Sequence, residues 1–99
     1  MSQIANQLNL SATILESEAL RYTPAGLPAL NIRLEHASEI TEAGQTRQVK
    51  VSMKSVAVGA VAEQLAVQDI GSCWHFKGFL TTPKGARYVV FHVQEFVKE

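Results

Sequence analysis

The residues best placed to do chemistry in this chain are its cations: Arg33, Arg47, Lys50 and Lys54 in the first half, then Lys77, Lys84 and Arg87. Their spacing is more telling than their number. Nine basic residues balance nine acidic ones, so net charge points to no polyanion. Yet Gln45 to Lys54 contains no acid, and neither does Ser72 to Gln94, whereas Glu16, Glu18, Glu35, Glu39 and Glu42 crowd the first half. A neutral chain can therefore fold into a protein with one basic face, and association follows the local field rather than the sum. Cations on such a face can track a phosphate backbone, with flat side chains beside them for bases to stack on. Tyr22, Phe79, Tyr88 and His92 are the flat candidates, while Trp74 and Phe76 read as core. On charge alone, a set of ordinary solvated strand positions is the plainer alternative.

Other chemistry has little to stand on. A hydrolase needs a nucleophile, a base and a group that orients the base. His36, His75 and His92 fall on separate strands, and the neighbouring acid, Glu35, lies on the opposite face of its strand from His36. The single Cys73 can form no internal bridge and reads as a small packed or half-buried residue. No metal-ligand spacing, glycine-rich phosphate loop or dinucleotide glycine run is present. The expectation is a binding protein with no catalytic residues, no cofactor and no metal.

The elements that must position the cations follow from periodicity. Leu8, Leu10, Ala12 and Ile14 alternate through a first strand from Asn6, extending toward Glu18. Pro24-Ala25-Gly26 makes a tight reversal. Leu30, Ile32 and Leu34 then share one face of a second strand, from about Leu27 to His36, with Asn31, Arg33 and Glu35 on its wet face. Ser38 to Thr46 is polar and reads as a hairpin loop. A third strand alternates through Val49, Val51 and Met53, and Ala57 to Val67 switches to helical spacing. Cys73 to Leu80 is a fourth strand in which Gly78 marks a bulge or strong curvature. Thr82 to Arg87 is a loop, and Tyr88 to Val97 is the fifth strand. Five short curved strands with one helix favour closure into a small barrel, which removes exposed edges. Apolar groups left outside it at Phe79, Tyr88 and Val90 point to a partner surface.

At 99 residues the chain reads as one domain, residues 1–99. It has no apolar stretch long enough for a membrane span and no secretory leader pattern, so a cytoplasmic protein is expected.

The run from Arg21 to Pro28, followed by Ile32-Arg33-Leu34-Glu35-His36 and then Glu42-Ala43-Gly44 with Arg47-Gln48, resembles the bacterial primosomal replication protein N family, small relatives of single-stranded DNA-binding protein. The likeness extends to Gly78-Phe79 and Phe91-His92-Val93. It implies a five-stranded OB-fold barrel with a short helix between strands three and four, assembled as a homodimer. It also implies binding to single-stranded DNA within the replication restart primosome, where such proteins stabilise the restart helicase on DNA and help recruit the next primosome factor. By resemblance the loop from Thr82 to Arg87 meets both DNA and helicase, through Lys84 and Arg87, with Lys77 nearby. Two aromatic stacking positions of the family are occupied here by Gln45 and Lys50. A stacked base contributes roughly 1–3 kcal/mol, so these replacements predict weaker binding or a greater share of phosphate contact. The alternative is a protein-interaction module on the same barrel with weak or lost DNA binding.

Overall fold

The computed structural model describes residues 4–99, which form one barrel with a projecting arm. Its strands are β1 (Leu8–Ser17), β2 (Arg21–Tyr22), β3 (Pro28–Glu42), β4 (Gln45–Val58), β5 (Cys73–Thr81) and β6 (Val90–Lys98), with helix α1 (Ala60–Ala66) after β4. Five long strands close the ring: β1 pairs β5, β5 pairs β6, β6 meets β4 in parallel, β4 pairs β3, and β3 returns to β1. The two-residue β2 adds only a short edge on β3. This is the architecture the sequence implies, an all-β barrel with the helix after its third long strand.

Alternation explains the core. Leu30, Ile32 and Leu34 point inward from β3 and are fully or almost fully buried, as are Ala12 and Ile14 of β1, while Asn31, Arg33 and Glu35 keep contact with solvent. Phe76 is fully buried, and Phe96 lies against it and edge-on to Trp74, whose indole N–H donates to Ser72 Oγ at 2.9 Å. The turn after β2 closes through Gly26 N–H donating to the Thr23 carbonyl at 2.8 Å and Leu27 N–H donating to Thr23 Oγ1 at 3.1 Å.

Two bulges set the curvature. The β1–β3 register skips Leu15, and the β5–β6 register skips Gln94 opposite the Lys77–Gly78 step. The second bulge reverses parity: Phe91 and Val93 face inward, and after one extra residue Phe96 does so as well. Gly78 sits beside this bulge, and a Cβ there would collide with the His92 backbone carbonyl. Glycine at this bulge is thus a steric requirement.

Several boundaries differ from the sequence reading. The stretch Ser38 to Thr46 is not a loop. β3 and β4 stay paired from Ala29–Val58 out to Glu42–Gln45, and only Ala43 and Gly44 turn, at φ of 52° and 75°. Two successive positive φ values are the geometry of a two-residue I′ hairpin. Period two was hidden there because both faces of the ribbon are wet: β1 pairs with β3 no further than Glu35, and β6 pairs with β4 through Ser55 and Val56, at the far end from the turn. The radius of gyration, 14.7 Å, exceeds the ~13 Å of a compact chain of this length, as a projecting arm requires. Helix α1 starts at Ala60 instead of Ala57, since Ala57 and Val58 are still paired to β3 and Gly59, at φ 93°, breaks the strand. The helix buries Ala62 and Leu65 and packs against β3, β4 and β6. The last strand starts at Val90, which leaves Tyr88 and Val89 in the preceding loop. Cys73 is exposed, not packed.

Candidate nucleic-acid interface

Register across the sheet turns separate residues into a surface. Glu16 of β1 stands opposite Arg33 of β3, and Arg33 stands opposite Lys54 of β4. The Lys54 ammonium lies over the Tyr88 ring, 4.4 Å from its centroid. One row therefore runs carboxylate, guanidinium, ammonium, phenol. A second row lies beside it. Glu18 N–H donates to the Asn31 carbonyl at 3.0 Å, Asn31 is paired with Val56, and Val56 with His92. Arg21 donates to Asn31 Oδ1 at 3.1 Å and brings a further cation to this row.

Together these rows line an open groove of about 440 Å³, closed at one side by Pro83 and Tyr88 of the β5–β6 loop. Its central cations are directed but unneutralised. Arg33 donates to Ser52 Oγ at 3.3 Å, and among the described residues neither Arg33 nor Lys54 forms an ion pair. His92 forms part of the far wall and stacks on Phe79 at 4.9 Å with 18° between the rings. Burial lowers its pKa from the usual 6.5, so the wall is uncharged near neutral pH.

The other expected cations fall elsewhere. Lys50 sits on the arm opposite Ala37, exposed. Arg47 lies near the arm tip with its Nε 2.9 Å from Glu42, so its charge is already partnered. Lys84 and Arg87 are exposed on the β5–β6 loop, where Ala86 N–H donates to the Pro83 carbonyl at 2.9 Å. Lys77 is half-exposed on β5, 3.9 Å from Glu95. The structure therefore brings Arg33 and Lys54 into one groove, hangs Lys84 and Arg87 on its loop, and places Arg47 and Lys50 on a separate ribbon. Gln45 follows the arm turn directly.

Sequence reasoning passed over three groove residues. Arg21 stands out in the sequence only as the start of the run to Pro28, and nothing local shows that its side chain reaches Asn31. Glu16 and Glu18 were counted as background charge, although their alternation at the end of β1 was a usable signal. The histidines and acids make no metal centre: among the described residues no group of three or more His, Cys, Asp or Glu could hold an ion. His36 is held structurally, its Nδ1 2.6 Å from the Ser11 carbonyl and its Nε2 2.9 Å from Ser38 Oγ. No helix among the described residues is long and apolar enough to cross a membrane.

Known proteins share both this barrel and its sequence. Residues 6–95 match the family described as "Another single-strand binding protein family". Replication restart protein PriB of Bordetella pertussis is 44% identical over 91 residues, which are 91% of this chain and 85% of that one. The chain belongs to the PriB family of single-strand binding proteins. The crystal structure of PriB from Ralstonia solanacearum superposes with a TM-score of 0.88 at 34% identity, covering 97% of this chain and 99% of the other. A deletion mutant of the single-stranded DNA binding protein from Thermus aquaticus gives a TM-score of 0.75 at 25% identity, over 94% of this chain and 49% of its own. The OB-type barrel is thus common to PriB proteins and to single-stranded DNA-binding proteins.

Proposed function

We propose that this protein is a single-stranded DNA-binding adaptor of the replication restart primosome, acting in the cytoplasm as a one-domain protomer, residues 1–99, of a homodimer and having no catalytic step of its own. The observation that carries the reading is the row Arg33–Lys54–Tyr88, two unneutralised cations beside an exposed ring in a groove open to solvent. Cations there hold the backbone, and Lys84 and Arg87 extend the path along the neighbouring loop. Lys50 and Arg47 offer a second path along the arm. Contacts of this kind carry no sequence code, so base preference is expected to be small beside backbone affinity.

The direct test is titration of a labelled oligonucleotide against salt. Binding should be measurable at low ionic strength, weaken steeply as salt rises, and fall on charge reversal at Arg33 and Lys54. Absence of binding at low salt, or indifference to both reversals, refutes the DNA role.

The helicase and loading-factor contacts of the adaptor are assigned to Lys84, Arg87 and Lys77. A second reading, a protein-interaction module with weak DNA binding, is favoured by Gln45 and Lys50 at the family's stacking positions and by the pairing of Arg47 with Glu42. A pull-down of the restart helicase that survives nuclease treatment and is lost on charge reversal at Lys84 and Arg87 supports the contact. Capture that disappears with the DNA rejects it. Light scattering should return twice the chain mass, and a monomer at micromolar concentrations rejects the dimer.

A further inference from the structure

The groove is not uniformly basic. Its β1 side carries Glu16 and Glu18, its centre Arg33 and Lys54, and its β6 side the rings of Tyr88 and His92. The carboxylates do not neutralise the cations. No ion pair joins Glu16 or Glu18 to any described residue, although strand register puts Glu16 opposite Arg33. Tyr88 remains 50% exposed while the Lys54 ammonium lies over its ring.

Resting on the single-stranded DNA reading above, we infer that the groove seats a nucleotide in one orientation only, with its phosphate over Arg33 and Lys54, its base against Tyr88, and its backbone barred from the β1 side by Glu16 and Glu18. The physical basis is a charge gradient across three adjacent strands. A phosphate moved one strand toward β1 stays beside Arg33 but exchanges Lys54 for the carboxylates of Glu16 and Glu18, whereas one held at the centre leaves its base facing the aromatic side. Tyr88 thereby supplies a stacking surface inside the groove, while Gln45 and Lys50 leave the arm without one. Glu16 and Glu18 act as a border on the strand's path, lowering affinity in return for a fixed direction of approach.

The test uses the full chain, fluorescence anisotropy at low salt, and two labelled oligonucleotides with the same number of phosphates, one of thymidines and one abasic. Tyr88→Ala should weaken binding of the thymidine strand by roughly 5- to 150-fold, the range of one stacked base. It should leave the abasic strand nearly unchanged, and Tyr88→Phe should retain most of the affinity. The double substitution Glu16→Gln with Glu18→Gln should tighten binding of both strands several-fold. All three positions are exposed, and circular dichroism of each variant establishes that the barrel is intact. Equal weakening of both strands by Tyr88→Ala would mean that Tyr88 merely positions Lys54, which overturns the inference. So does unchanged or weaker binding on removing the two carboxylates. Either failure leaves binding by the unsubstituted protein intact, whereas failure of that protein to bind the thymidine strand overturns the DNA reading itself.

Discussion

The groove and the arm both carry cations, but they hold them in different ways. In the groove, Arg33 and Lys54 face each other on strands that are closed into a ring. A hydroxyl receives one and an aromatic ring lies under the other. On the arm, Arg47 and Lys50 ride a two-stranded ribbon beyond the last contact with β1, and its polar groups are spent on one another: Arg47 on Glu42, and Gln48 Nε2 on Glu39 Oε1 at 2.6 Å. Conformational entropy has been lost on folding in the groove, so a ligand need not supply it there. A ribbon paired only with itself retains more freedom, and its charges must first exchange partners. The groove is therefore the preorganised site and the arm the adaptable one.

The harshest way to break this contrast acts on the seam beneath the groove's aromatic side. Gly78→Ala places a methyl against the His92 carbonyl, where only backbone can yield. Urea unfolding should show a loss of about 3 kcal/mol. A loss under 0.5 kcal/mol would mean that the β5–β6 seam tolerates relaxation and that the groove is less rigid than described.

Salt dependence sharpens the comparison directly. Each phosphate contact on a single strand contributes about 0.7 to the slope of log affinity against log salt. Lys54→Gln should lower the slope by about that amount, whereas Arg47→Gln should change it less, because Glu42 already partners that charge. Equal changes would place the arm and the groove on the same footing.

A smaller effect concerns acidity. Burial lowers the pKa of His92 below the 6.5 it has when unfolded, so between those two values the unfolded chain binds more protons than the folded one. Stability contributed by His92 is thus complete above 6.5 and declines as pH falls through that window. Thermal melts between pH 7.5 and 5 should show a steeper decline for the native sequence than for His92→Gln, and parallel curves would sink the assignment. The decline belongs to the groove wall.

The smallest change belongs to the arm alone. Ala43 adopts a left-handed φ of 52° beside Gly44, a conformation that costs an ordinary side chain roughly 1 kcal/mol. Ala43→Asn supplies the Asn-Gly pair favoured in such turns. Chemical denaturation should show a gain of about 0.5–1 kcal/mol, with groove affinity for a short oligonucleotide unchanged. A change in that affinity would show that the two regions communicate.

Much of the barrel was legible because period two reports a strand with one dry face. Leu30, Ile32 and Leu34 announced β3, Gly78 announced curvature, and the run from Arg21 to His36 carried the family. The arm escaped because neither of its faces is dry, so polar residues from Ser38 to Thr46 looked like a loop although they are paired to the tip. Phe96 escaped because alternation counted through Gln94 puts it on the wrong side. Only the bulge there restores it to the core with Phe91 and Val93.

By itself, then, the sequence determined the strands with an apolar face, the turn at Pro24 and the membership of the family, since each depends on residues close along the chain or on their order, whereas the need for glycine at 78 comes from the His92 carbonyl on the neighbouring strand. Tertiary structure decided which cations act together. Glu16, Arg33, Lys54 and Tyr88 come from four separate segments, and their alignment depends on the register of three strands and on where a loop closes. The two-residue turn at Ala43 and Gly44 sets the β3–β4 register locally, whereas the β1–β3 alignment and the approach of Tyr88 are fixed by the bulge at Leu15 and by packing across the ring.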